Sequence, residues 1–326
     1  MTNAFLRLID GFFVLRPVVL IPVWGFALFG YYQGKGLSLF DISACWSHPE
    51  IIPFSMIMVF SLSVGCVYVL NQIADIAADR ENGGFPLLAS GVVSLPQAYV
   101  AASLSALLSI LLPLLTGYLT LALLSIAAII TGLLYSFKPT YFSGRPFLDF
   151  LANAFGFGMI AFACGWYCSG NQFFTLRFFN AALPYFFLMC AGSISSTIPD
   201  ILGDRATGKK TTAVLLGARN AHVLALVFLC LATIDSLFVK DLLALFCSGA
   251  SLPIYILYHC FPKKILEEST YKIGGALCMF AAALFTPWFI IFGCATAFAT
   301  WMYFRYRHHV SYPSLVPLKN HRIPSA

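Results

Sequence analysis

The pattern Asp-Ile-x-x-Asp-Arg-x-x-Gly occurs twice in this chain, as Asp75, Ile76, Asp79, Arg80 and Gly83 and again as Asp200, Ile201, Asp204, Arg205 and Gly208. Each copy stands where an apolar run meets a polar loop. The 326 residues include only 13 Asp and Glu, so two matched pairs beside apolar segments are a marked concentration of charge. Helical residues four apart share a face. That spacing sets Asp75 beside Asp79 and Asp200 beside Asp204, with Asn71 one turn deeper. If the two helix ends face each other, four carboxylates surround one cavity and need cations to stay ionised. Mg²⁺ takes oxygen ligands, commonly one or two carboxylates plus substrate phosphates. Two such ions held by Asp75, Asp79, Asp200 and Asp204 are suited to gripping a diphosphate. A single Asp-x-x-x-Asp reads more simply as helix-end acids paired with Arg80 or Arg205. The Ile, Arg and Gly common to both copies weigh against that simpler reading.

Other polar groups gather nearby in sequence. Lys138, Arg145, Lys209 and Lys210 fall in the same class of loop as the acidic motifs, where free diphosphate oxygens would accept from them. The positive-inside bias of membrane loops accounts for some of these residues without a site. Asp149 and Asn153 are again four apart and open a further apolar segment. An acid and an amide there face the bundle interior, lining a site or bonding to a neighbouring helix. Ser193, Ser195, Ser196 and Thr197 read as packing and interhelical bonding groups. Most of the ten cysteines lie inside apolar runs without any Cys-x-x-Cys, so neither a disulfide framework nor a metal site is expected from them.

The elements that must position these groups are membrane spans. Hydrophobic residues make up 60% of the chain and charged residues 10%, against about 25% charged in soluble domains. Apolar segments of spanning length lie near 12–32, 52–75, 98–116, 119–137, 147–168, 179–199, 221–239, 241–261 and 274–304. The expected fold is all-α, a polytopic bundle of about nine transmembrane helices embedded in the lipid bilayer. The first segment lacks a small-residue cleavage site and reads as a span rather than a removed signal. Twelve of the 19 Lys and Arg then fall on the inner side with both acidic motifs, so a central cavity opening to the cytoplasmic side is expected. The net charge of +6 shows no clustered basic face, so no nucleic acid partner is expected. Residues 1–305 are expected to form one domain. Residues 306–326, with His308 and His309, are expected to be a disordered tail.

Asn71-x-x-x-Asp75-x-x-x-Asp79 and Asp200-x-x-x-Asp204 resemble the two signature motifs of the UbiA superfamily of intramembrane prenyltransferases. Pro86, Leu87, Ala89, Ser90 and Gly91 resemble the Pro-Leu…Ser-Gly that follows the first motif. Tyr135, Ser136 and Pro139 resemble a Tyr-Ser-x-Pro-Pro element, and Gly208-Lys209-Lys210-Thr211 with Leu216-Gly217 the stretch after the second motif. Arg16-Pro17 is similar to an Arg-Pro of the first helix. Phe85 stands where many members have Arg, and Phe137 and Lys138 replace the usual x-Pro. The Asn-Gln opening and the Pro-Leu-Leu-Ala-Ser-Gly stretch are closest to a homogentisate-like branch.

The resemblance implies a Mg²⁺-dependent prenyltransferase that binds a polyprenyl diphosphate through two ions held by the Asp motifs. The donor ionises to an allylic carbocation and alkylates an acceptor, often an aromatic ring, as in quinone or tocopherol biosynthesis. Asn71, Arg80, Tyr135, Ser136, Lys138, Arg145, Asp149, Asn153, Arg205, Lys209 and Lys210 are the candidate substrate-binding residues. Two other readings of the acidic repeat are a CDP-alcohol phosphotransferase and an ion-coupled transporter. The longer motif of the former, D-G-x-x-D-G-x-x-A-R, is absent. Transporter sites lie near the bilayer midplane, whereas both Asp copies lie at helix ends.

Overall fold

Arg16 and Pro17 divide the first apolar stretch into two helices. Arg16 adopts the left-handed conformation (φ 57°, ψ 59°) and Pro17 takes the first position of the helix that follows, where its missing N–H costs nothing. The computed structural model describes residues 2–37, 51–82, 86–172 and 175–313. Gly83, Phe85 and residues 314–326 of the sequence reading lie outside the described residues.

Every regular element described is helical. Helices α1 (Thr2–Phe13) and α2 (Pro17–Lys35) meet at a 44° bend. They are followed by α3 (Ile51–Ala74), the short α4 (Ile76–Asn82) and α5 (Pro86–Ala89), then α6 (Leu95–Leu115) and α7 (Leu119–Ser136). Next come α8 (Leu148–Cys168), which includes a π-helical stretch at Phe155–Ala161, and α9 (Leu176–Thr197). The remainder is α10 (Ile201–Ala206), α11 (Thr212–Val239), α12 (Leu242–Cys260), α13 (Lys264–Phe285) and α14 (Trp288–His308).

Seven of these helices, α3, α6, α7, α8, α9, α11 and α12, are long and apolar enough to cross a membrane, and the bent α1–α2 pair makes an eighth. The last expected apolar segment, 274–304, is not one continuous helix: α13 stops at Phe285 and α14 starts at Trp288. Pro287 between them lacks the N–H that a continuous helix would need. The first half of α13 also carries Lys264, Glu267, Glu268 and Lys272, which lowers its apolarity. Residues 306–308 of the expected tail are helical, because α14 continues through His308.

The helices pack closely where side chains are small. A Cβ on Gly30 of α2 would run into the Phe162 carbonyl of α8, and one on Gly165 would run into the Ala27 carbonyl of α2. Small residues let backbones approach when lipid offers no hydrophobic drive between helices. The main core includes Trp24, Phe29, Phe60, Phe162, Trp166 and Tyr185. A second, smaller core joins the beginning of the chain to α5, α6 and α14 through Phe13, Val14, Leu87, Val93 and Phe304. At its edge Arg307 donates to both carboxylate oxygens of Asp10 (Nε 3.1 Å, Nη2 2.9 Å), and the Tyr303 hydroxyl donates to Oδ1 at 2.6 Å. The Tyr303 ring stacks on Phe13 at 3.9 Å. The outward faces carry residues such as Leu104, Leu115, Leu133 and Phe238, an apolar surface suited to lipid.

Candidate active site

Each acidic pair is built by the same local device. Helix α3 ends at Ala74, Asp75 sits in a turn, and α4 begins at Ile76. The i to i−4 bonds nonetheless continue through the break, from Asp75 N–H to the Asn71 carbonyl (2.9 Å) and from Asp79 N–H to the Asp75 carbonyl (2.8 Å). Asn71, Asp75 and Asp79 therefore keep one face, as the spacing predicts. In the second copy Asp200 caps α10, and Asp204 N–H bonds to the Asp200 carbonyl at 2.9 Å.

The glycine of the second copy has a defined role. Gly208 has φ 75°, a left-handed value that favours glycine. It ends α10 with two returning bonds, Gly208 N–H to the Arg205 carbonyl (3.2 Å) and Lys209 N–H to the Asp204 carbonyl (2.8 Å). This is the Schellman arrangement of a helix C-terminus. It turns the chain so that the Lys209 ammonium reaches back across the site to Asp75 Oδ2 at 3.3 Å.

The two motifs meet around Lys209. Asp75 and Asp204 are both buried, and each lies within the electrostatic reach of Lys209. Asp79 also acts electrostatically on Asp200 of the other motif. Burial pushes the Asp79 carboxyl up to about 6; Asp75 adds to this, and Arg16 and Lys209 oppose it. Burial likewise pushes Asp200 up to about 6, with Asp204 and Asp79 adding and Lys209 opposing. Asp200 nonetheless remains exposed as a residue, so water reaches this side of the cluster. Asp204 is raised too, first by burial. Burial works against the charge of Lys209, but Asp75, Tyr135, Asp204 and Tyr141 outweigh it and hold the ammonium above the usual lysine range. One half-buried ammonium thus stands among four carboxylates, two of them held at about 6 against an ordinary 3.8.

This donor set suits a hard divalent cation, because it is made of carboxylate oxygens alone. Among the described residues, no three His, Cys, Asp or Glu side chains are close enough to hold an ion by themselves. Any ion here would need further oxygens from a ligand, the usual habit of Mg²⁺ at phosphate sites.

Asn71 joins the acidic cluster to a cavity of about 340 Å³, within the range of small-molecule sites of roughly 300–1,000 Å³. Its amide donates to Asp75 Oδ2 at 3.2 Å and reaches Ser136 Oγ at 3.5 Å. Arg16, Tyr68, Tyr135, Asn153 and Ser196 supply the polar part of the cavity wall, and Val19, Val23, Val64, Val67 and Phe157 the apolar part. Asn153 donates to the Tyr135 hydroxyl (3.3 Å) and to Ser193 Oγ (3.1 Å), linking α8 to α7 and α9. The π-helical stretch of α8 begins two residues later and sends Gly156, Phe157 and Ala161 to the wall. Such irregular turns recur at functional sites.

The other candidates sit elsewhere. Both carboxylate oxygens of Asp149 are taken by Thr212, one by its backbone N–H at 2.7 Å and one by its hydroxyl, and the same hydroxyl accepts from Phe147 N–H at 2.7 Å. Asp149 therefore fastens the start of α11, the second of the two roles open to it. Asp149→Ala is expected to cost about 3 kcal/mol of stability, the scale of losing buried bonds to a charged acceptor, read as a lower melting temperature of the detergent-solubilised protein. Arg80 Nε donates to the Ala89 carbonyl at 2.9 Å, tying α4 to α5. Arg145 Nη2 donates to the Pro139 carbonyl at 2.7 Å. Lys138, Arg205 and Lys210 are exposed.

Three residues of the site escaped the sequence reading. Arg16 lines the cavity and acts electrostatically on Asp79. The Thr211 side chain bonds to Asp204. Tyr141 lies near Asp75, Lys209 and Asp204, and burial, with help from Asp75, raises its hydroxyl above the usual tyrosine value. The Arg16-Pro17 pair and the Gly208-Lys209-Lys210-Thr211 stretch are the sequence signals that pointed to two of them; nothing pointed to Tyr141.

The sequence profile of the UbiA prenyltransferase family matches residues 19–266. The chain belongs to this family. A 2-acylphloroglucinol 4-prenyltransferase of Humulus lupulus is 29% identical over 220 residues, covering 59% of this chain and 50% of the relative. The chain spans about half the length of the curated relatives it matches. A UbiA homolog from Archaeoglobus fulgidus, solved bound to GPP and Mg2+, has a TM-score of 0.62 at 20% identity, covering 88% of this chain and 99% of that one. The apo form of a UbiA homolog from Aeropyrum pernix K1 gives 0.58 at 19% identity, with 84% and 97% covered. At these identities the likeness is one of fold, and the multi-pass helical bundle is the UbiA membrane fold.

Proposed function

We propose that this UbiA family chain is a Mg²⁺-dependent intramembrane prenyltransferase, moving a prenyl group from an allylic diphosphate to an aromatic ring. The observation that carries the reading is the meeting of two Asp motifs around Lys209, joined through Asn71 to a largely apolar cavity. The diphosphate end of the donor would lie against the Asp motifs and its apolar end in the cavity. Asp75, Asp79, Asp200 and Asp204 would hold Mg²⁺, which when bound neutralises charge on the leaving diphosphate.

The side chains supply the remainder. Lys209 can donate to diphosphate oxygens from its place between the motifs, and Asn71 orients Asp75. The apolar walls keep water away from an electron-poor allylic centre. The Tyr135 ring lines the same cavity, and a ring face stabilises a passing cation. Two relatives favour this chemistry: an archaeal homolog solved with GPP and Mg2+ and the acylphloroglucinol prenyltransferase, whose name supports an aromatic acceptor. The open side of the site would face the cytoplasm, where the motif-bearing loops carry their excess of Lys and Arg.

The test is turnover by the purified full chain in detergent, supplied with geranyl or geranylgeranyl diphosphate, Mg²⁺ and a panel of phenolic acceptors. The expected result is diphosphate release together with an acceptor whose mass has grown by one prenyl group. Release that continues unchanged in EDTA, or no release with any pair, would overturn the proposal.

A further inference from the structure

Arg16 and one of its partners, Tyr312, lie outside the part of the chain that the family profile covers. The profile begins at residue 19 and ends at 266. Arg16 precedes it, and α14 with its following turn comes after it. His309 ends α14 in the left-handed conformation (φ 57°), and Val310 N–H then returns to the Phe304 carbonyl at 3.1 Å. The chain is thereby turned back along the helix end. The Tyr312 ring packs edge-on against Phe304 at 5.0 Å and 73°, within the second core. From there its hydroxyl forms a side-chain hydrogen bond with Arg16.

Arg16 therefore has a neighbour on each side. One is Tyr312; the other is Asp79, which acts on it electrostatically. The guanidinium also lines the cavity beside Tyr68 and Asn71. Its backbone is held in an unusual left-handed conformation at the α1–α2 bend. Neighbouring chain is fixed by Gln72 Nε2 donating to the Val14 carbonyl at 2.9 Å and by the Tyr68 hydroxyl donating to the Val19 carbonyl at 3.1 Å. The Asp10–Arg307–Tyr303 cluster clamps α14 to α1 just ahead of the bend. Backbone, bend and clamp all converge on one cation at the edge of the acidic cluster.

We propose that the turn after α14 is part of the active site, with Tyr312 a positioning residue that holds Arg16 ready to bind a diphosphate oxygen next to Asp79. This rests on the proposed function. Arginine presents a planar fork of donors that matches phosphate oxygens. A long side chain loses much rotamer freedom when it binds, and fixing it beforehand strengthens binding without any new contact to the ligand. Tyr312 supplies that fixing from outside the family core.

The test measures Mg²⁺-dependent binding of geranyl diphosphate to the full chain in detergent by calorimetry, alongside KM and kcat. Tyr312→Phe keeps the ring on Phe304 and removes only the hydroxyl. It is expected to raise Kd and KM by about tenfold, with kcat changed less than twofold and the melting temperature unchanged. Arg16→Gln is expected to weaken binding at least as much, and adding Tyr312→Phe to it should produce no further loss. Wild-type affinity in Tyr312→Phe, tighter binding in it, or an undiminished Tyr312 effect in the Arg16→Gln background would each overturn the proposal. A wild-type protein that binds no diphosphate in Mg²⁺ would instead overturn the functional reading, and this inference with it.

Discussion

Asp75→Ala is expected to lower kcat/KM for prenyl transfer by about 10³-fold or more, the scale on which removing a preorganised charge contact or a metal ligand acts. Asp75 is chosen because three lines of geometry meet on it. Its Oδ2 accepts from Asn71 and pairs with Lys209, and it lies within electrostatic reach of Asp204 of the second motif. Removing it leaves Lys209 with Asp204 and Tyr135 as partners, so the fold is expected to survive. Asp204→Ala should act on the same scale, and the double variant should fall little below either single one, since residues that act as a unit are not additive. The measurement is diphosphate release at saturating Mg²⁺, with circular dichroism to check that each variant is folded. Activity within tenfold of wild type in folded Asp75→Ala would remove the acidic cluster from the mechanism.

The second large effect is the joint dependence on Mg²⁺ and pH. Asp79 and Asp200 both titrate near 6 in the folded chain against an ordinary value of 3.8. Between those values the folded, metal-free chain binds more protons than the unfolded one. The stability linked to these two carboxylates is therefore greatest at the acid end of that window and is lost as pH rises through about 6. A divalent ion competes with those protons, because its ligands must be ionised. Mg²⁺ at a hundred times its Kd stabilises by about 2.7 kcal/mol, so at pH 7.5 it should raise the melting temperature by several degrees. The same total Mg²⁺ at pH 5 should have much less effect. Asp79→Asn combined with Asp200→Asn should flatten the metal-free profile and remove most of the Mg²⁺ response. An equal Mg²⁺ shift at pH 5 and 7.5 in the wild type would contradict the crowded carboxylates that the geometry describes.

The acidic motifs were legible in the sequence because their information is local. A four-residue spacing fixes a helix face wherever the helix goes, and Gly208 announces its own turn. Lys209 was legible for the same reason, since it follows that glycine. Asp149 shows the limit of such spacing. Asp149 and Asn153 repeat the four-residue pattern, but the acid lies in the first turn of α8 next to the start of α11, and Thr212 consumes both its oxygens. Only Asn153, one turn further in, reaches the cavity wall. Arg16 and Tyr312 were illegible because they are 296 positions apart and meet only through the α1–α2 bend and the turn at His309, neither of which leaves an apolar period to read. The break inside the last apolar segment was hidden for a similar reason. Hydropathy adds up residues 274–304 without registering that Pro287 stops one helix and starts the next.

The Asp10–Arg307 pair closes the chain across 297 positions of sequence. A chain made at about 5–20 residues per second leaves Asp10 waiting roughly 15–60 s for its partner to be synthesised. During that interval α1 is held only by its core contacts and the Gln72–Val14 bond, and the bend that carries Arg16 is unsupported from the α14 side. The carboxylates of both Asp motifs emerge before that fastening does. A chain interrupted anywhere before α14 would hold both Asp motifs but lack the Asp10–Arg307 fastening, so the arginine at the bend is fixed only after α14 has been made.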